Sequence, residues 1–176
     1  MPDNRPLTYL AVPYSHPDPA VRLARFEAAN IAAGALMREG ELVFSPISHT
    51  HPIAVQCGLP LGFDYWEAYD RAVLSCCNTL IVLQLGGWMQ SKGVQSEVKI
   101  ALEANIEVRF MAMMKEHDGG HKWIHSKGCE AVEQEWLRLI QEATPEEMKR
   151  INVAQGGIYI AGTWIKDDPN DESNKE

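Results

Sequence analysis

The feature that most constrains the fold is one continuous apolar run, Thr79-Leu-Ile-Val-Leu-Gln-Leu85. A short apolar run bounded by turn residues is typical of a strand that is buried on both faces, as central strands of parallel sheets are. Parallel strands need long crossover connections, which are usually helices. This run therefore predicts an α/β fold.

On both sides of this run, the sequence alternates between segments typical of strands and segments typical of helices. Asp18 and Pro19 are a typical N-cap and first helical residue, and Gly40 follows the last apolar position of that helix. The predicted strands are 7–12, 42–44, 79–85 and 107–112, and the predicted helices are 18–40, 63–74, 91–104 and 129–143. The stretch 45–62, which holds Pro46, Pro52, Gly58 and Pro60, is predicted to be a long loop. Such alternation predicts a doubly wound, Rossmann-like or flavodoxin-like parallel sheet with helices on both faces and a C-terminal helical extension.

Length and composition indicate one domain, since 176 residues with 45% hydrophobic and 23% charged residues can bury a sizeable core. We expect an α/β core over residues 1–115 and an extension over 116–165 that packs on the core or on a neighbouring subunit. Within the extension, 117–125 is predicted to be a polar loop, Thr144 to start a helix and 158–161 to add an edge strand. The charged tail, 166–176, is expected to be disordered.

Charge and cysteine usage limit the partners and the compartment. A net charge of −8 argues against binding to a nucleic acid, so a small molecule is the expected ligand. No apolar run approaches the length of a membrane span, and no secretory signal is visible. The four cysteines lack a C-x-x-C spacing and are interpreted as buried thiols. We therefore expect a cytoplasmic protein with no membrane association.

Ligands of doubly wound sheets bind beyond the carboxyl ends of the strands. The two loops expected there are 13–17, with Pro13, Tyr14, Ser15 and His16, and 86–92, with Trp88 and Ser91. A helix follows the second loop, and its N-terminus would favour an anion. Periodicity does not decide whether Glu97, about two turns into this helix, faces the ligand or the solvent.

Three sets of residues carry a resemblance. Ser91, Gly93, Glu97 and Ala101 form an S-x-G-x-x-x-E-x-x-x-A pattern, Asp70 lies eight residues before Asn78, the polar position that introduces the apolar strand, and Tyr9 lies on the first strand. These motifs, with Y-L-A-x-P-Y-S-H at 9–16, resemble the nucleoside 2-deoxyribosyltransferase-like superfamily and an uncharacterised bacterial and phage subgroup of it. The resemblance covers about residues 7–112.

The resemblance implies roles for these residues. Glu97 would be the nucleophile at the anomeric carbon, Asp70 a catalytic acid, and Tyr9 the residue that orients Glu97. Ser91 and Gly93 would contact the sugar or its 5′-phosphate. Retention at an anomeric carbon needs one carboxylate as nucleophile and a second group as acid/base, which agrees with this pair.

The expected function is cleavage of an N-glycosidic bond in nucleosides or nucleoside monophosphates, by hydrolysis or by base exchange, without a cofactor. Two alternatives stay open: a non-catalytic nucleotide sensor, and an NAD glycohydrolase. The resemblance also implies a homo-oligomer, because relatives build their pocket partly from a neighbouring subunit.

Two departures from the family pattern bear on this expectation. Asn78 stands where the family commonly has an aspartate, and the loop after the first strand lacks the arginine of the monophosphate hydrolases. Arg22 and Arg25 are the candidate substitutes for that arginine.

Other polar and aromatic residues have a more ordinary interpretation. His49 and His51 form an H-x-H pair without a positioned carboxylate, so no metal site is expected and they are interpreted as residues that line the pocket or face solvent. Asp64, at a helix start, is interpreted as an N-cap or first-turn residue.

Three aromatic residues could stack on a nucleobase: Trp66, Tyr69 and Trp88. An aromatic residue on an apolar helix face is more often a core residue, whereas Trp88, at a glycine turn beside the proposed site, is expected to reach the pocket.

Overall fold

A computed structural model describes residues 6–115, 121–126, 131–142, 144, 158–160 and 163–165. Its elements follow the predicted alternation, and in chain order they are β1 (Leu7–Ala11), α1 (Pro19–Arg38), β2 (Leu42–Phe44), α2 (Pro46–Cys57), α3 (Phe63–Leu74), β3 (Thr79–Leu83), α4 (Lys92–Glu103), β4 (Glu107–Lys115), β5 (His121–Ser126), α5 (Ala131–Glu142), β6 (Ile158–Ile160) and β7 (Thr163–Ile165). The predicted α/β class is confirmed.

The main sheet has the strand order β2-β1-β3-β4-β5. The first four strands in this order are parallel, and β5 joins the edge antiparallel to β4. The apolar run forms β3, whose five residues are all buried. Its central position in the sheet explains why it lacks polar alternation, since helices cover both of its faces.

Two apolar cores lie on the two faces of the sheet. On the first face, Leu10, Ile81 and Leu83 pack against the buried alanines and Leu36 of α1. On the second face, Tyr9, Leu80 and Val82 pack against residues of α3, α4 and α5. Successive strand residues point to opposite faces, so neighbouring residues of β1 enter different cores.

The capping residues of α1 agree with the sequence interpretation. Asp18 is the N-cap and its carboxylate accepts a hydrogen bond from the Ala20 N–H at 2.8 Å, while Pro19 is the first helical residue. Gly40 lies just after the end of this helix, and its φ of +91° is a conformation that favours glycine.

The predicted loop 45–62 is wrong over most of its length, because 46–57 form α2. Ser45 caps this helix by accepting a hydrogen bond from the Ser48 N–H, Pro46 occupies the first turn, where no intrahelical donor is needed, and Gly58 closes the end at φ +65°. Pro46 and Gly58 therefore mark the two ends of the helix, and Pro52 lies inside it.

The extension also differs from prediction. The expected polar loop contains β5, and Ile158–Ile160 pairs with β7 in a separate two-stranded sheet instead of extending the main one. Helix α5 packs on α4 and contributes Trp136 and Ile140 to the second core. The predicted helix after Thr144 and the tail 166–176 lie outside the described residues.

The cysteine interpretation is wrong for two of the four positions. Cys77 is buried, but Cys57 and Cys76 are exposed. Cys129 lies outside the described residues.

Candidate active site

A cleft opens at the carboxyl edge of the sheet, where the segments after β1, β2 and β3 meet. Its empty space, including the mouth that is open to solvent, is about 540 Å³. The position is the one that parallel α/β sheets favour for ligands.

One wall of the cleft carries two carboxylates. Glu97 comes from the second turn of α4 and Asp70 from α3, and both line the cleft although they are only 5% and 7% exposed. Glu97 shares the inward face of α4 with Val94, Val98 and Ala101. Helical spacing at i, i+3, i+4 and i+7 therefore directs this glutamate toward the sheet and not to solvent.

Tyr9 fixes the orientation of Glu97. The Tyr9 side chain is fully buried on the second face of β1, and its hydroxyl donates a hydrogen bond of 2.7 Å to Glu97 Oε1. The residues are 88 positions apart in the chain, so the parallel sheet brings them together. The Tyr9 hydrogen bond therefore holds one oxygen of a carboxylate that lines the cleft.

Asp70 is less satisfied. Among the described residues, its Oδ1 is one of two buried side-chain atoms that have no hydrogen-bond partner. Burial raises the pKa of Asp70 to about 6, and hydrogen bonding with Tyr9 opposes that shift. A buried polar atom without a partner is costly to keep, and such atoms are frequently found where a ligand will bind.

The two carboxylates are electrostatically coupled. Burial raises the pKa of Glu97 well above its usual value, the nearby charge of Asp70 raises it further, and the Tyr9 hydrogen bond acts in the opposite sense. Burial, followed by the charge of Glu97, also raises the pKa of the Tyr9 hydroxyl, which stays protonated. Burial and the charge of Asp70 therefore both favour the protonated form of Glu97.

The residues at the start of α4 play structural roles beside the cleft. Ser91 is the N-cap, and its hydroxyl oxygen accepts a hydrogen bond from the Val94 N–H at 3.4 Å. A Cβ at Gly93 would lie 3.4 Å from the Phe63 ring, so the glycine allows close packing of this ring on the helix start. Both residues line the cleft, as does Phe63.

The opposite wall comes from the end of β1 and from α2. Tyr14 and Ser15 follow β1, and the apolar side chains of Pro46, Ile47 and Ala54 come from α2. The Tyr14 hydroxyl is hydrogen-bonded to His51 Nδ1, and the His51 ring stacks on Phe26 with ring centroids 4.4 Å apart. This wall is therefore largely apolar, with one hydrogen-bonded polar pair.

Of the predicted ligand contacts, the structure brings Tyr14, Ser15, Ser91 and Gly93 to the cleft, together with Asp70 and Glu97. Trp88 is not there. It is buried in the second core, with ring centroids 4.8 Å from Trp136 and 5.6 Å from Phe110. The assignment of Trp88 to the pocket is thus corrected, because the extension supplies aromatic partners that the glycine turn alone does not reveal.

Pro13 and His16 do not line this cleft either. Pro13 is buried beside the end of β1. His16 borders a neighbouring shallow depression, and its Nδ1 accepts a hydrogen bond from the Asp18 N–H at 3.1 Å. A role in ligand binding for these two residues stays a prediction.

The two candidate phosphate-binding arginines are bonded to the backbone. Arg22 donates to the carbonyl oxygens of His16 and Pro17, and Arg25 donates to those of Ser15 and Gly86. Both guanidinium groups thus tie the loop after β1 in place, and Arg25 joins it to the loop after β3. Neither arginine lines the cleft.

Asn78 and Asp64 both lie away from the cleft. Asn78 is exposed and precedes β3, so it lies at the amino edge of the sheet, opposite the cleft. A carboxylate at that position would not reach Glu97. Asp64 is in the first turn of α3, as predicted, and does not line the cleft.

Sequence reasoning missed most of the α2 wall, including Thr50, and left open whether His51 lines the pocket or faces solvent. The signal that could have found it was the Ser45-Pro46 start and the Gly58 end of a helix in a stretch that was read as a loop. In a helix, residues 47, 50, 51 and 54 lie on one face, and in α2 this face lines the cleft.

Within the described ranges, no group of three or more histidine, cysteine, aspartate or glutamate side chains is arranged to hold a metal ion. No helix in that same part of the chain has the length and apolar character needed to cross a bilayer.

The fold and the site define an α/β protein in which buried Asp70 and Glu97 border a cleft at the carboxyl edge of a mostly parallel sheet, and Tyr9 is hydrogen-bonded to Glu97 from the core. The chain belongs to the family described as "Domain of unknown function (DUF1937)", whose model matches residues 6–113, more than half of the sequence. No curated protein matches the chain significantly.

Proposed function

We propose that this protein cleaves the N-glycosidic bond of nucleosides or nucleoside monophosphates, with Glu97 as the nucleophile. The observation that carries the proposal is the pair of buried carboxylates on one wall of the cleft, one of them bonded to Tyr9 at 2.7 Å. The likeness of the motifs around Tyr9, Asp70 and Glu97 to nucleoside 2-deoxyribosyltransferases supports the same chemistry.

The proposed reaction starts from the singly protonated pair. A Glu97 carboxylate oxygen forms a bond to C1′ of the sugar while the C1′–N bond breaks, and the bonding electrons leave with the base. The proton that the pair holds passes to the base through Asp70, because an anionic base is a poor leaving group. The result is a glycosyl ester of Glu97 and a neutral base.

Resolution of the ester completes the cycle. Asp70, now ionised, takes a proton from water, and the oxygen of that water attacks C1′ and restores the Glu97 carboxylate. If the nitrogen of another base attacks instead, the outcome is base exchange. Tyr9 holds the nucleophile in position and stabilises its ionised form by hydrogen bonding.

This mechanism gives the raised pKa values a role. Attack requires an ionised Glu97 and departure of the base requires an acid, so one proton between two carboxylates is the useful state. Because the pKa of Asp70 is about 6, acidification below this value adds a second proton and should suppress the reaction. We expect the acid limb of kcat/KM near pH 6, and we expect Asp70→Asn to remove or displace it.

The test is a panel of nucleosides, deoxynucleosides, their monophosphates and NAD, with and without a second free base. Base release is followed by chromatography, with Glu97→Gln as the matched variant and Glu67→Gln, an exposed glutamate on α3, as the control. Turnover that Glu97→Gln abolishes and Glu67→Gln keeps supports the proposal. Tight binding without turnover of any member favours the sensor alternative.

A further inference from the structure

The cleft presents two chemically different walls to a nucleoside. The wall with Asp70, Glu97 and Ser91 is polar, whereas α2 contributes Pro46, Ile47 and Ala54. The Trp66 ring also lines the cleft, and its indole N–H donates to the Pro60 carbonyl at 2.8 Å, which holds the ring in place. If C1′ lies at Glu97, the flat base fits the apolar side and the sugar hydroxyls fit the polar side.

On the α2 wall, His51 is the polar side chain that can read a base. The Thr50 hydroxyl is used within the helix, where it donates to the Pro46 carbonyl at 2.9 Å. The His51 ring is held from two directions, by stacking on Phe26 and by the hydrogen bond between its Nδ1 and the Tyr14 hydroxyl. A ring fixed in this way can discriminate one ligand atom from another.

The Tyr14 hydroxyl and His51 Nδ1 share one hydrogen bond. If the hydroxyl donates this bond, Nδ1 accepts it, and a neutral imidazole then carries its proton on Nε2. The Tyr14–His51 contact therefore leaves Nε2 as the ring nitrogen that can donate to a ligand in the cleft that His51 lines.

The neutral form of the imidazole follows from its surroundings. Burial lowers the pKa of His51, and the positive charge of Arg22 lowers it further. The cleft thus contains a hydrogen-bond donor without a charge, opposite the two carboxylates.

We propose that the Tyr14–His51 pair recognises the base of the nucleoside, with the His51 Nε2–H donating to an acceptor atom of the base. This inference rests on the proposed function and adds a specificity-determining pair to it. His51 positions the base and takes no part in bond making. A base that lacks the acceptor would leave the donor unpaired in a partly dehydrated cleft, so it should bind more weakly.

The experiment measures equilibrium binding by calorimetry in the Glu97→Gln background, which prevents turnover. The probes are the four common deoxynucleosides and, for each base that binds, analogues that lack one acceptor at a time, such as the 1-, 3- and 7-deaza purines. The protein variants are His51→Phe, which keeps a ring against Phe26 without a donor, and His51→Gln, which keeps a donor amide near the Nε2 position.

We expect His51→Phe to weaken binding about 10- to 100-fold and His51→Gln to restore most of the loss. In the protein with His51, one analogue should bind more weakly than its parent nucleoside by the same factor. In His51→Phe, that analogue and its parent should bind equally well. Tyr14→Phe should lose a smaller factor, since the imidazole stays but its proton is no longer directed. The analogue series uses the unaltered histidine, so it remains decisive if His51→Phe does not fold.

The inference is overturned if nucleosides bind equally well with Phe, Gln or His at position 51, or if the analogue penalty is the same in all three. Turnover in the earlier panel with such binding would leave the proposed function intact. His51-dependent binding without turnover by the Glu97 protein would contradict the proposed reaction and keep the recognition pair. If no nucleoside or base binds, both are contradicted.

Discussion

The two faces of the central sheet are built by the same strands but are different in character. On the α1 face, Leu10 and its neighbours in β3 meet alanines and Leu36, and the packing is wholly apolar. On the other face, the adjacent residue of β1 is Tyr9, and its hydroxyl reaches a glutamate inside the protein. Because successive residues of β1 point to opposite faces, Leu10 lies in a wholly apolar core and Tyr9 lies beside the proposed nucleophile.

The difference has an energetic consequence. The apolar face gains free energy from every buried group, whereas the face with Asp70 and Glu97 loses free energy by burying carboxylates. Proteins tolerate such local costs where activity requires them. Substitutions on the two faces should therefore have opposite signatures, on stability in one case and on activity in the other.

The largest expected effect is that of Glu97→Gln on activity. Gln has nearly the same shape but is a very poor nucleophile, so base release should fall by about 10³-fold or more, while the protein stays folded and is at least as stable. Chromatographic base release and thermal unfolding of the same preparation check both parts. A variant that loses activity only because it unfolds would contradict this separation of roles.

The apolar face gives the opposite expectation. Leu36→Ala removes a fully buried side chain from the α1 core, which should lower the free energy of unfolding by about 2–5 kcal/mol. At temperatures where the variant is folded, kcat/KM should change little, because Leu36 does not line the cleft. Urea unfolding and steady-state kinetics provide the comparison. A large fall in kcat/KM for the folded variant would show that the two faces are not separate.

Tyr9→Phe tests the residue at the boundary between packing and chemistry. The ring remains in the core, but Glu97 loses a charge-assisted hydrogen bond worth about 1.5–3 kcal/mol. We expect a 10- to 100-fold fall in kcat, with a smaller change in KM. An unchanged kcat would mean that the hydrogen bond has no role in positioning the nucleophile.

The smallest predicted effect is a pH-dependent gain of stability in Asp70→Asn. The folded pKa of about 6 lies above the ordinary value of 3.8, so the folded state holds its proton more tightly and the wild type loses stability as pH rises from about 4 through 6. The full penalty, about 1–3 kcal/mol, is present above pH 6. Asn carries no such penalty.

The difference in unfolding free energy between Asp70→Asn and the wild type should therefore be near zero at pH 4 and should favour the variant at pH 7–8. Glu67→Gln is the matched control, since its exposed i,i+4 pair with Arg71 contributes about 0.5 kcal/mol or less. Equal pH profiles for Asp70→Asn and the wild type would contradict the burial penalty.

The sequence predicted the α/β class and the central strand because a short apolar run that is bounded by turn residues is typical of a strand buried on both faces. Tyr9, Asp70 and Glu97 were named from their motifs, and periodicity alone could not decide which way Glu97 points. The structure adds the reason, since the glutamate shares the inward face of α4 with Val94, Val98 and Ala101.

The misses have physical causes. α2 was hidden because its boundary proline, internal proline and terminal glycine each also occur in loops, and only their order distinguishes a helix. Trp88 was misplaced because its partner Trp136 lies 48 residues away in the extension, and local sequence carries no record of such a contact. His51 lines the cleft because residues 46–57 form a helix, and a loop prediction for this stretch does not place its side chain.

The most direct test of the account is to trap the bond between Glu97 and the sugar. A nucleoside from the panel that turns over is prepared with fluorine at C2′, which slows formation and breakdown of the ester, and the protein is then analysed by intact mass and peptide mapping. We expect one fluorosugar per chain on Glu97 and none in Glu97→Gln. An adduct on another residue, or turnover that Glu97→Gln retains, would contradict the central claim.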